Sequence, residues 1–212
     1  MPKTTKTYDK GDIQAQLQMR LKYHPMRIFT YMLLAGICSA FLFISISYFA
    51  TTFGTNFNNF KLPLLFHANT IIILVSSYSI SQARKAMMND DAKGYLTGLL
   101  VTTGLSIAFT FFQVTAWMEL YHSGINLHNI AGAYLYVISG LHLAHLLVGV
   151  IILIWFALSA LDKSNDAVKL LIFESDPFSK MKVDLLATYW HFVDVLWIYI
   201  YIFFIFNIYV LK

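Results

Sequence analysis

Tyr189-Trp190-His191-Phe192-Val193-Asp194-Val195-Leu196-Trp197 sits inside an apolar run from Met181 to Leu211. The run is long enough to cross a bilayer core, which takes about 20 residues as a helix. On a helix, His191 and Asp194 share a face at i, i+3. Ionisable groups at bilayer depth cost on the order of 2.5–3.5 kcal/mol each by insertion scales, so both are predicted to meet polar partners in the helix's neighbours.

The rest of the chain carries the same signal. Of 212 residues, 58% are hydrophobic, 17% aromatic and only 12% charged, against roughly 25% charged in soluble domains. Five runs predict transmembrane helices: 26–53, 62–87, 93–121, 130–161 and 181–211. Pro2, Pro25, Pro63 and Pro177 fall outside these runs or at a first turn, where a missing N–H costs nothing. The expected fold is an all-α, five-helix membrane bundle, residues 26–212, preceded by a polar arm, residues 1–25, that does not read as a cleavable leader. The longest connector, about 162–180, contains Leu170-Leu171-Ile172-Phe173, read as a solvated loop with one apolar contact or a short interfacial helix.

Thirteen of the fifteen basic residues fall on one side of the predicted membrane, leaving Lys61 and Lys212 on the other. By the positive-inside rule the N-terminus is cytoplasmic and the C-terminus faces out. The net charge of +4 is therefore an orientation signal; scattered at membrane edges, the basic residues form no nucleic-acid surface. A lone Cys38 excludes an internal disulfide and a cysteine-based metal cluster.

In the fourth run His142 and His145 also share a face, and Gly140 with Ala144 forms a small-xxx-small seam for close helix approach. At 1.5 Å rise per residue, about the same depth is expected for His142, His145, His191 and Asp194. A polar network in which they satisfy one another is the first reading. The second is metal or haem ligation, but no Glu-x-x-His motif is present and Asp194 is the sole acid read at mid-membrane. Ser76, Ser77, Ser79 and Ser81 give the second run a polar stripe, read either as interhelical hydrogen bonding or as a phospholipid groove with Arg84 or Arg27 at the headgroup. His67 and Glu119, at similar depth near the opposite edge, either pair or face water. The aromatic load of the last run, from Trp190 to Tyr209, suits a helix packed partly on its own bundle and partly on a second membrane protein; core packing alone is the alternative.

Three segments together resemble subunit III of the haem–copper oxygen reductases. The Tyr189–Trp197 stretch is similar to that family's most characteristic segment. Gly140-Leu141-His142-Leu143-Ala144-His145-Leu146-Leu147-Val148-Gly149 resembles its glycine–histidine–histidine–glycine helix. Leu62-Pro63, Asn69-Thr70 and Ser76-Ser77 resemble its leucine–proline, asparagine–threonine and double-serine helix, and Gln113 fits the family's glutamine. Gly140, Ala144, Gly149, Tyr189 and Trp190 are read as helix-packing positions. Relative to seven-helix members the first two spans are absent, as in a short bacterial form. Ala40 stands where the family often has a buried glutamate, Ala116 replaces an acid after the glutamine, and Asp184 replaces a glutamate.

The resemblance implies a non-catalytic accessory subunit of a proton-pumping terminal oxidase that passes electrons from cytochrome c to O2, in a bacterial cytoplasmic membrane. It implies no cofactor of the chain's own, haems and copper in partner subunits, bound phospholipid, packing on subunit I with subunit II and other membrane subunits nearby, and support of proton uptake and stability, with a respiratory supercomplex as a further level of assembly. An equivalent subunit of a quinol oxidase or nitric oxide reductase is the alternative. A free-standing transporter is a third reading, but the sequence lacks internal repeats and broken midplane helices.

Overall fold

The computed structural model describes residues 19–52, 62–164, 173 and 175–209. Five long helices dominate: α1 Pro25–Thr52, α2 Leu64–Met88, α3 Ala92–His122, α4 Ile130–Ser164 and α5 Pro177–Tyr209. All five are long and apolar enough to cross a membrane. No strand occurs among the described residues, so the chain is an all-α transmembrane bundle. Residues 1–18 of the polar arm and 165–172 and 174 of the connector lie outside the described residues, and with them Leu170-Leu171-Ile172, read as an apolar contact or interfacial helix. Phe173 of that connector packs on Tyr95 with ring centroids 6.0 Å apart, and Lys163 Nζ lies 3.8 Å above its ring.

Helices α2, α3, α4 and α5 pack in a ring, each against the next, while α1 lies outside it against α4 and α5. The tightest pair is the α2–α3 hairpin. Its turn passes through Asp90, whose φ of 58° is left-handed, a conformation that a short polar side chain tolerates. Asp90 also accepts from Lys180 Nζ at 2.7 Å, tying the turn to the start of α5. Asp91 caps α3 by accepting from the Gly94 amide at 3.0 Å. Along the hairpin, Gly98 lets the backbones approach: a Cβ built there would lie 2.7 Å from Ala83 Cβ and 2.9 Å from Ala83 Cα. Ser79 Oγ donates to the Gly98 carbonyl at 3.1 Å across the same contact.

Helix α5 starts at Pro177, four residues ahead of the Met181 predicted from hydropathy. The cause is local. Asp176 accepts from the Phe178 amide at 3.1 Å and from the Ser179 amide and hydroxyl at 3.0 and 2.8 Å, and Pro177 supplies a first-turn φ. Burial pushes the Asp176 carboxyl up, but these hydrogen bonds outweigh it and hold it below the usual carboxylate range. A carboxyl depressed in the folded state contributes stability above its unfolded pKa of about 3.9 and loses it as pH falls through the folded value. Asp176→Ala is therefore expected to cost about 1 kcal/mol at neutral pH, with a gap to wild type that closes under strong acid. Thermal unfolding in detergent across pH checks this.

The core is aromatic where α5 meets the ring. Trp190, Trp197 and Phe204 are fully buried. Trp197 packs edge-on against Phe109 at 4.8 Å, stacks on Phe66 at 5.8 Å and donates Nε1–H to Thr70 Oγ1 at 3.2 Å. Trp190 donates Nε1–H to Ser76 Oγ at 2.9 Å. The predicted Gly140/Ala144 seam is not where helices close up. Ala144 is exposed, and the nearest atom to a Cβ on Gly140 is the Trp117 ring at 3.8 Å, ordinary contact distance. Gly149 is the close approach on α4, since a Cβ there would lie 2.9 Å from the Trp190 ring and 3.0 Å from Tyr189.

Candidate functional site

Polar groups of the spans converge on the α2–α5 and α4–α5 seams, where α5 presents its characteristic stretch to two neighbours at once. His191 reaches across to α2, its Nδ1 2.8 Å from Ser77 Oγ and its Nε2 3.1 Å from Ser81 Oγ. A neutral imidazole satisfies both, donating through one nitrogen and accepting at the other. Its neighbour Trp190 holds Ser76, the residue before Ser77. The serine stripe of α2 thus serves helix pairing, and Ser76 and Ser77 are engaged by α5.

On the α4 side, His142 is buried and donates Nε2–H to the Val193 carbonyl at 3.2 Å. Its ring lies against Phe109 and Trp197, with centroids 5.8 and 5.1 Å away. His145 donates Nδ1–H to its own helix at Leu141 O, 2.7 Å. Tyr189 OH donates to the His145 carbonyl at 2.8 Å. Asp194 is 2% exposed, and its carboxylate faces the Ser77 hydroxyl of α2, the same hydroxyl that bonds His191 Nδ1.

The four expected network members therefore lie at neighbouring levels but do not bond to one another. Serine hydroxyls and backbone carbonyls lie nearer to each imidazole than the other ionisable groups do. One consequence is testable. Because Ser77 keeps His191 Nδ1 as a partner at 2.8 Å, replacing the Asp194 carboxylate by a side chain of similar volume strands no donor among the described residues. Asp194→Leu is expected to leave the unfolding midpoint of the chain in detergent unchanged or raised; a clear drop would mean that the Ser77–Asp194 contact holds the α2–α5 seam.

Charge gathers at the bundle end that holds the α1 N-terminus. Asp184 of α5 accepts from Arg27 Nη2 at 2.9 Å and from Arg84 Nη2 at 2.5 Å, one arginine per oxygen. Both residues expected to bind a lipid headgroup are thus drawn onto one acid, joining α1, α2 and α5. Half of the Arg84 side chain remains exposed, so the cluster keeps an excess positive charge facing outward. At the other end His67 lies edge-on to Tyr201 at 5.6 Å, Glu119 is exposed, and no ion pair joins the two.

Sequence reasoning missed two groups. Asp184 was noted only as a replacement, although an acid one helical turn after Lys180 at the basic edge signals an arginine partner. The Asn69 Nδ2–H···Oε1 Gln113 bond, 2.9 Å and fully buried between α2 and α3, joins two amides quoted separately. Among the described residues no three His, Cys, Asp or Glu side chains converge as a metal site. An apolar groove of about 420 Å³ opens between α1, α4 and α5, lined by Phe29, Leu33, Val148 and Leu186, with Lys182 and Thr30 among its polar lining residues.

Fold and site together define a multi-pass helical membrane protein whose intramembrane polar groups serve helix pairing. The family model of cytochrome c oxidase subunit III matches residues 24–209. Cytochrome c oxidase subunit 3 of Spodoptera frugiperda is 31% identical over 148 residues, 70% of this chain and 90% of that protein. The Equus caballus protein of that name is 32% identical over 146 residues, 68% of this chain and 50% of that one. Probable cytochrome c oxidase subunit 3 of Rickettsia prowazekii (strain Madrid E) is 32% identical over 148 residues, 69% and 48% of the two chains. The matched stretch thus spans about half the length of the horse and Rickettsia proteins. The chain belongs to the cytochrome c oxidase subunit III family.

Proposed function

We propose that this chain is the non-catalytic accessory subunit III of a haem–copper terminal oxidase in a bacterial cytoplasmic membrane. It packs on the subunit that holds the haems and supports the stability of the complex and its proton uptake. The observation that carries this reading is the family match over 24–209, which takes in all five long helices. The geometry supports it: His142, His145 and His191 spend their ring N–H groups on serines and carbonyls of this chain, a use suited to building a rigid platform. Electrons pass from cytochrome c to O2 through haem and copper in the partner subunits.

The clustering of Arg27, Arg84 and Lys180 at one bundle end supports a cytoplasmic placement of that end under the positive-inside rule. Phospholipid is held in the α1–α4–α5 groove, its tails on the apolar wall and its phosphate near Lys182, rather than at Ser76 and Ser77, which α5 already engages.

Purification of the affinity-tagged chain from its native membrane in mild detergent tests the assignment. The expected result is copurification of a haem-bearing, oxygen-consuming core that oxidises reduced cytochrome c. Recovery of the chain alone, or with a core that accepts only quinol or reduces nitric oxide, would overturn it.

A further inference from the structure

Tyr78 is 67% exposed on the outer face of α2. It stands about 21 Å along the helix from Leu64 and about 15 Å from Met88. In a hydrocarbon layer about 30 Å thick that is close to the middle, too deep for a tyrosine to reach the headgroups. Among the described residues nothing bonds its hydroxyl. Outward hydroxyls elsewhere satisfy themselves: Thr30 donates to Met26 O at 2.9 Å, Ser39 to Gly36 O at 2.8 Å and Thr115 to Phe111 O at 2.9 Å. A tyrosine ring holds its hydroxyl away from its own helix, so it needs an acceptor from outside. Tyr136 and Tyr189 each find one on another segment of this chain, at 2.9 and 2.8 Å.

Lipid tails offer no acceptor, and a hydroxyl left bare in hydrocarbon is strongly disfavoured. We infer that the α2–α5 face centred on Tyr78 docks a transmembrane helix of another protein, which presents a hydrogen-bond acceptor to the Tyr78 hydroxyl at mid-membrane depth. The surroundings fit a helix. Ile71, Leu74, Val75 and Val195 are 63, 51, 48 and 63% exposed and form an apolar surface across both helices. The His67–Tyr201 ring contact makes the two stripes continuous. Gln82, one turn beyond Tyr78, is exposed, and among the described residues nothing bonds its carboxamide, adding a second polar anchor. The identity of the docking protein as an oxidase subunit rests on the function proposed above; the face itself does not.

The test is photo-crosslinking in native membranes, with a benzophenone amino acid placed at position 78. Controls place it at Phe43, Phe111 or Ile151, which are 74, 67 and 68% exposed on α1, α3 and α4. The expected result is a product joining position 78 to a different membrane polypeptide, identified by mass spectrometry, about tenfold above any control. In the same membranes Tyr78→Phe is expected to release the chain from that partner about threefold more readily under detergent, the scale of one intramembrane hydrogen bond. Products equal at all four positions, lipid adducts alone, or links to a second copy of this chain would overturn the inference. If an oxidase core copurifies but position 78 links to nothing, the docking face fails while the function stands. If position 78 links to a protein that is no oxidase subunit, the function fails while the face stands.

Discussion

Trp190→Ala is expected to cost the folded chain about 3–5 kcal/mol, the range for truncating a buried tryptophan. Trp190 is 1% exposed and meets three elements at once. Its indole N–H holds Ser76 of α2, its ring fills the notch left by Gly149 of α4, and its backbone belongs to α5. The alanine variant would leave a void between helices that cannot collapse without pulling α4 and α2 toward each other around α5. Most of the loss is packing. The hydrogen bond alone is worth about 0.6 kcal/mol in a membrane interior, so Trp190→Phe should cost a minor part of the effect. Thermal unfolding of both variants in one detergent separates the two contributions. Equal losses would mean that the hydrogen bond, not the ring, holds the seam.

Gly98→Leu is expected to lower stability by about 3 kcal/mol, at the top of the overpacking range. In an isolated helix this substitution would help, by roughly 0.8 kcal/mol or more of helix propensity. Here the added Cβ alone would meet Ala83 at its Cβ, Cα and backbone nitrogen, at 2.7, 2.9 and 3.0 Å. Backbone cannot rotate aside as a long side chain would, so α2 and α3 must separate, and the Ser79 bond to the Gly98 carbonyl goes with the contact. Gly104→Leu is the control, because nothing lies within 4 Å of a Cβ at Gly104 and propensity should prevail. Opposite signs for the two variants, read as shifts in unfolding midpoint, are the expected outcome.

The five spans were legible because a bilayer demands about 20 apolar residues per crossing, a constraint that composition alone reveals. Helix starts were legible where chemistry marks them and hydropathy does not intrude. Pro25 and Pro63 mark α1 and α2, whereas α5 was started late because Lys180 and Lys182 lower the local hydropathy. The Asp176-Pro177 signal, a cap followed by a first-turn proline, was there to be read. The site was legible by type rather than by partner. His191 was expected to need a polar neighbour and has two, yet both are serines of α2 that were weighed separately as a lipid stripe. Helix order along the chain does not say which faces meet, and spacing at i, i+3 establishes only that His191 and Asp194 leave the helix on one side. Gly98 was missed for the same reason. A glycine becomes a packing device only when the residue opposite is known, and Ala83 lies across a turn that inverts the chain direction.

Subunit III family membership and the inward spending of histidine N–H groups support the proposal that this chain stabilises an oxygen-reducing complex without holding an electron carrier. The most direct measurement strips the chain from the purified complex with a harsher detergent and determines haem and copper in both fractions. All the haem and copper should stay with the remaining subunits, and the separated chain should show no Soret absorbance. Stoichiometric haem or copper travelling with the separated chain would contradict the account.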